Sequence, residues 1–214
     1  MKKNNLRVVE IVGPAGAGKS TLYQALRGRN NLRLDNFPDV RRLANLPFFL
    51  WNGAWVIGSL RGLGGLSRRE LAWMSILRGW PALLQKTDSR VTVLDQGPVY
   101  LLTELREFGP ASLRTSATDA LWRDLSARWS QTLNLIVWLD ADDADLLERI
   151  RTRKKAHIVK DASAEETLSF LNRYRAAYGR VMADLRVPVL RFDSSCMTTT
   201  QIAENLLREL GDTR

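Results

Sequence analysis

The sequence predicts an α/β fold with three layers, in which a mainly parallel sheet of five strands lies between two layers of helices. Short apolar runs alternate with longer helical patterns along the whole chain. Those runs are continuously apolar, as expected for strands that a parallel sheet buries on both faces. No repeat, low-complexity tract or long linker interrupts the 214 residues, so we expect one domain over residues 1–214.

The first strand and the first helix flank a glycine-rich loop. Residues 6–12 are mostly apolar, rich in β-branched side chains and end at Gly13, which predicts a buried strand. Helical periodicity covers residues 19–28. A weaker second strand covers residues 32–37 and stops at Pro38, because proline lacks the N–H donor that a ladder needs.

The middle of the chain, residues 41–86, is predicted to be mostly helical. Ser67 and Glu70 form a capping box, a hydroxyl followed three residues later by a carboxylate, which begins one of its helices. Three glycines mark a break before that box: Gly62, Gly64 and Gly65.

The second half continues the alternation of strand and helix. Three apolar runs predict strands: 91–94, 133–139 and 187–192. Helical patterns cover the other segments: 99–108, 118–132, 143–153, 163–181 and 201–210. Ser163 and Glu166 form a second capping box, and the helix after it places Tyr174 and Tyr178 on its apolar face.

Residues 13–20 read GPAGAGKS and match the P-loop pattern G-x-x-x-x-G-K-[ST] at every fixed position, between a predicted strand and a predicted helix. Glycines let backbone N–H groups turn inward around a phosphate, and the following helix adds its positive dipole end. Lys19 can reach the β- and γ-phosphates, and the Ser20 hydroxyl can ligate Mg²⁺. We therefore expect Mg²⁺ and a nucleoside triphosphate, with ATP as the leading choice. The predicted cofactor-binding residues are Gly13, Pro14, Ala15, Gly16, Ala17, Gly18, Lys19, Ser20 and Thr21.

The net charge of +9 is concentrated in two windows. Residues 39–90 carry an excess of five positive charges and residues 149–160 an excess of six, so the rest of the chain is slightly acidic. Basic clusters bind anions such as phosphates, nucleic acid or anionic lipid, although a solvated basic surface has the same composition. No recognition-helix motif or long basic stripe is present, so sequence-specific nucleic-acid binding is not expected.

One cysteine, Cys196, and one histidine, His157, exclude several kinds of site. The chain can form no internal disulfide, no Cys/His zinc cluster and no CxxC redox pair. The lack of disulfides fits a cytoplasmic compartment. Carboxylates, arginines, the P-loop lysine and magnesium are left to do the chemistry, which suits phosphoryl transfer.

The most apolar stretch, residues 46–60, is shorter than the roughly 20 residues that span a bilayer. Peripheral contact with a membrane through it stays open. The longer segment 46–80, which includes this stretch, is rich in tryptophan: Trp51, Trp55, Trp73 and Trp80. Such residues fit an acceptor site or a membrane surface, and they fit equally a helical core or a homodimer interface.

Two segments of the second half resemble the P-loop nucleoside and nucleotide kinases, especially their thymidylate kinase-like branch. Residues 136–140 read IVWLD and lead into ADLLERIRTR at 144–153, a strand followed by a helix with spaced arginines. Residues 187–195 read VPVLRFDSS and resemble the family's last strand and base-side loop. With the P-loop, the resemblance extends from Leu6 to Leu210 and is least specific over residues 39–90.

The resemblance implies an arginine-rich lid over about residues 149–162. A lid of this kind closes on the nucleotide and keeps water from the transferring phosphoryl group. Arg149 would border the adenine, and Arg153 would reach the phosphates. Lys154 and Lys155 would assist, and His157 would lie on the lid surface.

Asp95 ends a predicted strand, as a Walker B carboxylate does, and would hold Mg²⁺ or accept the acceptor's proton. The family has an arginine directly after this acid, whereas this chain has Gln96, which puts recognition of a standard nucleotide acceptor in doubt. The predicted catalytic residues are Lys19, Asp95 and Arg153. The predicted metal ligands are Ser20 and Asp95.

The resemblance places the acceptor site in a helical segment over about residues 39–90. This segment lacks the Arg-Glu-Pro and Asp-Arg-Tyr signatures of thymidylate kinases, so the acceptor's identity stays open. The predicted acceptor-binding residues are Asp39, Arg41, Arg42 and Gln96. Asp35 and Asp39 are alternatives to Asp95 as the base.

The expected function is that of an ATP- and Mg²⁺-dependent kinase, which transfers the γ-phosphoryl group to a nucleotide or a nucleoside-like small molecule. One alternative is a kinase of another hydroxyl compound, such as a sugar or an antibiotic. Another is a regulatory P-loop ATPase at a membrane surface. A GTPase is disfavoured because the chain has no N-K-x-D motif.

Overall fold

The computed structural model describes residues 7–29, 31–39, 42–60, 66–85, 91–153 and 158–211. The glycine break at 62–65, Arg41, and the lid residues Lys154, Lys155 and His157 lie outside these ranges. Five described strands pair in one parallel sheet in the order β2-β3-β1-β4-β5, which confirms the predicted α/β class. The strands are β1 (Arg7–Val12), β2 (Leu32–Asp35), β3 (Val91–Asp95), β4 (Leu135–Asp140) and β5 (Val189–Asp193).

Eight α-helices of the described residues connect and cover these strands. They are α1 (Lys19–Ala25), α2 (Leu46–Ser59), α3 (Arg68–Leu84), α4 (Pro98–Glu107), α5 (Asp119–Thr132), α6 (Asp143–Thr152), α7 (Ala164–Leu185) and α8 (Thr199–Glu209). Both predicted capping boxes are present, at the starts of α3 and α7. A third box, Thr198 with Gln201, begins α8 and was not predicted.

The sheet has a buried core on each face. One core packs the sheet against α3, α4, α5 and α7, and the other packs it against α1, α6 and α8. Alternate residues of β1 divide between the two, because successive side chains of a strand point to opposite faces. Val8 and Val12 belong to the first core, and Val9 and Ile11 belong to the second.

The tryptophans of α2 and α3 have different environments. Trp80 is buried and packs edge-on against Trp129 of α5, with the ring centroids 5.8 Å apart. Trp129 in turn donates its indole N–H to the carbonyl oxygen of Leu77 at 2.8 Å. This part of the segment is therefore helical core, one of the predicted alternatives. Trp51 differs, because 77% of it is exposed.

The strand order places the P-loop at a change of direction in the sheet. After β1 the chain crosses to one edge strand, β2, and after β4 it runs to the other edge strand, β5. In open parallel sheets, ligands bind outside the carboxyl ends of the strands at such a point. The loop after β1, Asp95 at the end of β3 and Asp140 at the end of β4 all lie at this edge.

Candidate functional site

The P-loop passes close to the end of β4, and its backbone requires glycine at position 13 and favours glycine at position 18. A Cβ atom on Gly13 would lie 1.9 Å from the carbonyl oxygen of Leu139, so only glycine fits there. Gly18, the residue before α1, has a φ of +88°, in the left-handed region that favours glycine. Both residues allow the loop shape that turns backbone N–H groups toward an anion.

Lys19 folds back over this loop. Its Nζ donates to the carbonyl oxygens of Gly13 and Pro14, each at 2.8 Å. Burial, with a smaller contribution from Arg153, lowers the pKa of Lys19 to about 8, although the carboxylates of Asp95 and Asp140 oppose the shift. An ammonium group held with little solvent gains strongly from an anionic partner, which a nucleotide phosphate would supply.

A cavity of about 990 Å³ opens over the P-loop, within the size range of small-molecule and cofactor sites. It brings together residues that are far apart in the sequence. The predicted site residues that line it are Gly13, Ala15, Gly16, Ala17, Gly18, Lys19, Ser20, Thr21, Asp95, Gln96, Arg149 and Arg153.

Arg149 is fixed against the loop that follows β5. Its guanidinium donates to the hydroxyl and to the carbonyl oxygen of Ser194, both at 2.9 Å, and to Asp145 at 3.0 Å. Residues 194–199 line the cavity beside it. Arg149 is thus held as a fixed part of the cavity wall, next to the loop that follows β5.

Arg153 follows α6 and also lines the cavity. Its carbonyl oxygen accepts a hydrogen bond from Nζ of Lys160 at 2.8 Å, which links the end of α6 to the chain that follows residues 154–157. Its guanidinium is close enough to Lys19 to lower the pKa of that lysine. Two cations that share a cavity favour a polyanionic ligand.

The turn after Asp95 is strained. Asp95 ends β3 and is half-buried, and Gln96 after it has a φ of +58°, which costs a residue with a side chain on the order of 1–3 kcal/mol. Gly97 then passes so close to Glu10 that a Cβ atom on it would lie 2.8 Å from that carboxyl carbon. Strain of this kind is concentrated at functional sites, where the surrounding structure enforces it.

Glu10 is a fully buried acid in the middle of β1. Its carboxyl oxygens accept the N–H groups of Val99 at 2.7 Å and Tyr100 at 3.0 Å, at the start of α4. Burial raises the pKa of Glu10 to about 8 against these hydrogen bonds. Glu10 therefore links β1, the strand before the P-loop, to the start of α4, the helix that follows Asp95 in the chain.

Part of the cavity wall comes from α4 and α7. We call this part the aromatic wall; its residues are Tyr100, Glu104, Phe170, Tyr174 and Tyr178. The hydroxyl of Tyr174 donates to Oε1 of Glu104 at 2.8 Å, and the ring of Tyr174 packs on Phe170 with the centroids 4.5 Å apart. Burial raises the pKa of Glu104, while the Tyr174 hydroxyl and the charge of Arg69 oppose that shift.

Pro14 does not line the cavity, although the other predicted P-loop residues do, and three further predicted residues are not brought to it. Asp35 forms an ion pair with Arg33 at 2.9 Å, while Asp39 and Arg42 are exposed. None of the three lines the cavity, and Arg41 lies outside the described residues. The reason is that α3 packs its buried face into the core against α5, so the described residues of 39–85 cover the first core instead of lining the cavity.

Glu10 and the aromatic wall are the functional candidates that the sequence did not predict. The sequence does contain an indication of Glu10, because it is the one acid in a strand of mostly apolar residues. Tyr174 and Tyr178 were assigned to an apolar helix face, which is correct but does not separate a cavity wall from a core. Glu104 and Tyr100 lie on a short helix with no motif.

Metal binding at this site would depend on the ligand's own oxygens. Among the described residues, no group of three or more Asp, Glu, His or Cys side chains is arranged to hold an ion. Ser20 and Asp95 supply hard oxygen donors to the cavity. Mg²⁺ is commonly held in this way, by one or two side chains together with substrate phosphates.

Within the described ranges, no helix combines the length and the apolar character that crossing a membrane requires. Helix α2 nevertheless exposes an apolar face. The large side chains of this face are Leu46 (51% exposed), Leu50 (65%), Trp51 (77%) and Ile57 (60%).

Comparison with known proteins shows that the chain resembles solved structures in its fold but matches no sequence family. No family model and no curated protein matches the chain. The crystal structure of the YorR protein of Bacillus subtilis, in complex with phosphorylated GDP, matches with a TM-score of 0.54 at 16% identity, over 95% of each chain. Structures of deoxyadenosine kinase from M. mycoides match at 14% identity over 95% of this chain and 98% of theirs, with TM-scores of 0.50 (bound dCTP) and 0.48 (bound dATP). The chain thus shares its fold, a five-stranded parallel sheet with helices on both faces, with these structures.

Proposed function

We propose that this protein is an ATP- and Mg²⁺-dependent kinase that phosphorylates a hydroxyl group of a nucleoside-like small molecule. The observation that carries the proposal is the shared cavity. It joins a complete P-loop, two arginines from the segment after β4, the strand-end acid Asp95, and a separate aromatic wall. A switch or a simple ATPase does not need the aromatic wall, whereas a kinase needs room for a second substrate beside the γ-phosphate.

The nucleotide side follows from the charges and the fixed groups. The P-loop backbone and Lys19 would bind the β- and γ-phosphates, Arg153 would offset the charge of the transferring group, and Arg149 with the 194–199 loop would border the base. Ser20 would hold Mg²⁺ together with oxygens of the phosphates, and the ion when bound neutralises charge on those oxygens. Membership of the thymidylate kinase-like branch and the cytoplasmic location stay predictions.

The acceptor would lie between Asp95 and the aromatic wall. The bond between the γ-phosphorus and its bridging oxygen breaks, and a new bond forms from the acceptor oxygen to that phosphorus. Asp95 accepts the proton of the acceptor hydroxyl, and the other product is ADP. Of the three carboxylates that the sequence offered as the base, Asp95 alone lines the cavity, which favours it over Asp35 and Asp39.

The direct test is a search for a co-substrate. We expect a non-hydrolysable ATP analogue with Mg²⁺ to raise the melting temperature, because a ligand at 100 times its Kd stabilises the folded state by about 2.7 kcal/mol. A panel of nucleosides, nucleoside monophosphates and sugars is then screened on the loaded protein. The best binder should become phosphorylated with one ADP released for each product molecule. Hydrolysis of ATP at an equal rate with and without every acceptor would contradict a kinase and favour a regulatory ATPase.

A second candidate role, peripheral contact with an anionic membrane, is favoured by the exposed face of α2. Residues 46–59 contain no charged side chain, and the exposed residues of the helix include a tryptophan, which prefers the membrane interface. The chain's net charge of +9 complements anionic lipid.

We expect the protein to co-sediment with vesicles containing anionic phosphatidylglycerol, and less with vesicles of phosphatidylcholine alone. The double change Leu50→Ser and Trp51→Ser should abolish this binding without loss of fold, because both side chains are largely exposed. A stable dimer by sedimentation velocity that the same double change dissociates would instead make this face a homodimer interface.

A further inference from the structure

The aromatic wall carries one charged group, and it is an acid. Among the described residues that line the cavity, the cations are Lys19, Arg149 and Arg153, which belong to the P-loop and to the segment after β4. The wall itself contributes Glu104 with four aromatic rings. Gln96 adds a neutral amide beside Asp95, at the position where the resemblance expects an arginine.

Arg69 does not change this balance inside the cavity. It acts on Glu104 electrostatically, but its side chain is 68% exposed and does not line the cavity. Its guanidinium stacks on Trp73, 4.8 Å from the ring centroid, and lies 3.7 Å from Glu70. A phosphate group against the aromatic wall would therefore face Glu104, while Arg69, the cation that acts on this carboxylate, lies outside the cavity lining. Like charges in such a setting repel.

Glu104 is held in place for a hydrogen-bonding role. The Tyr174 hydroxyl donates to its Oε1, and Tyr174 is itself stacked against Phe108, with the ring centroids 4.2 Å apart, and against Phe170. Among the described groups, the Tyr174 hydroxyl is the donor that hydrogen-bonds to the Glu104 carboxylate. A carboxylate has about four lone-pair sites, so this one can accept further hydrogen bonds from a ligand. A fixed carboxylate between aromatic rings suits a flat or cationic ligand that presents N–H groups.

We propose that the acceptor is an unphosphorylated, nucleoside-like hydroxyl compound carrying an amino group, and that Glu104, oriented by Tyr174, selects it by accepting the amino N–H. This proposal rests on the proposed kinase function and deepens it. Glu104 acts here in specificity, and Tyr174 is a positioning residue. The negative charge of the wall acts against an acceptor that already bears a phosphate.

The test compares matched acceptors in a γ-phosphoryl transfer assay with ATP and Mg²⁺. The pairs are cytidine with uridine and adenosine with inosine, in which an amino group is replaced by a carbonyl oxygen, together with the 5′-monophosphate of each. We expect kcat/KM to be at least about tenfold higher for the amino member of each pair, and higher for the nucleoside than for its monophosphate.

Two variants locate the preference. Glu104→Gln should reduce the ratio of kcat/KM between the amino and the carbonyl member of each pair about tenfold. The glutamine amide can donate its own N–H to the carbonyl oxygen of uridine or inosine, which the glutamate carboxylate cannot do. Tyr174→Phe keeps the ring stack and should raise KM for the amino acceptor more than it lowers kcat. Glu107→Gln is the matched control, since Glu107 lies on the same helix but is ion-paired with Arg180 and does not line the cavity.

The outcomes separate the two proposals. Transfer that prefers monophosphates, or an amino preference that Glu104→Gln leaves unchanged, would overturn this inference and leave the kinase function standing. Absence of transfer to any acceptor despite ATP binding would overturn the kinase function and this inference together. A wild type that shows no amino preference overturns the inference without any variant. If Glu104→Gln does not fold, Tyr174→Phe, which keeps the ring stack, tests the assignment to Glu104, and an amino preference that it leaves unchanged overturns that assignment.

Discussion

Replacing Lys19 with alanine is expected to lower phosphoryl transfer by about 10²- to 10³-fold, the usual effect of removing one preorganised group that stabilises transition-state charge. Lys19 is the lysine that lines the cavity among the described residues, and its ammonium group is anchored to two P-loop carbonyl oxygens at 2.8 Å. The measurement is kcat/KM for ATP at saturating acceptor. Arg27→Ala removes an exposed cation just after the same helix and serves as the control. Full activity in the Lys19 variant would exclude the proposed mechanism.

The same substitution should leave the protein folded and should change its response to pH. The folded-state pKa of Lys19, about 8, lies below the unfolded value of 10.5. Between these values the unfolded chain binds more protons than the folded protein, so the free energy of unfolding contributed by this group rises with pH. Urea unfolding from pH 7.5 to 10 should therefore show a rise in the wild type that is weaker in Lys19→Ala. If stability depends on pH in the same way in both proteins, the ammonium group of Lys19 is solvated and is not held by the loop.

The P-loop and the sheet could be predicted because each depends on local sequence. The motif at 13–20 specifies a backbone shape through its glycines, and continuously apolar strands indicate a parallel sheet without knowledge of their order. The remaining differences are at the ends of elements. For example, β5 begins at Val189, after Pro188, rather than at residue 187, because proline cannot donate to the ladder.

The acceptor side could not be predicted in the same way, because long-range packing decides it. The basic and aromatic content of residues 39–90 suggested a binding site there. In the structure, Trp80 of that segment packs on Trp129, and the cavity wall is completed by Tyr100 and Glu104 with residues of α7, about 70 positions later. An apolar helix face has the same periodicity whether it meets a core or a ligand, so periodicity alone cannot assign Tyr174.

The second large effect is expected at Glu10. Changing it to alanine should lower the free energy of unfolding by roughly 3 kcal/mol near pH 5, because it leaves a cavity and deprives the N–H groups of Val99 and Tyr100 of their acceptor. Glu107→Ala on the same helix removes an ion pair whose partner, Arg180, is largely exposed, and should cost less than about 1 kcal/mol. Urea unfolding of the three proteins measures both values.

The pH dependence identifies the cause of that effect. The folded-state pKa of Glu10, about 8, lies above the unfolded value of 4.5, so between these values the folded protein binds more protons than the unfolded chain. Stability contributed by this carboxyl is therefore fully present below about pH 4.5 and is lost as the pH rises toward 8. The difference in stability between the wild type and Glu10→Ala should shrink over that range, and a difference that grew with pH would show a carboxylate stabilised in its charged form. Because the N–H groups that Glu10 binds begin the helix carrying Tyr100 and Glu104, the variant should also raise KM for the acceptor more than KM for ATP.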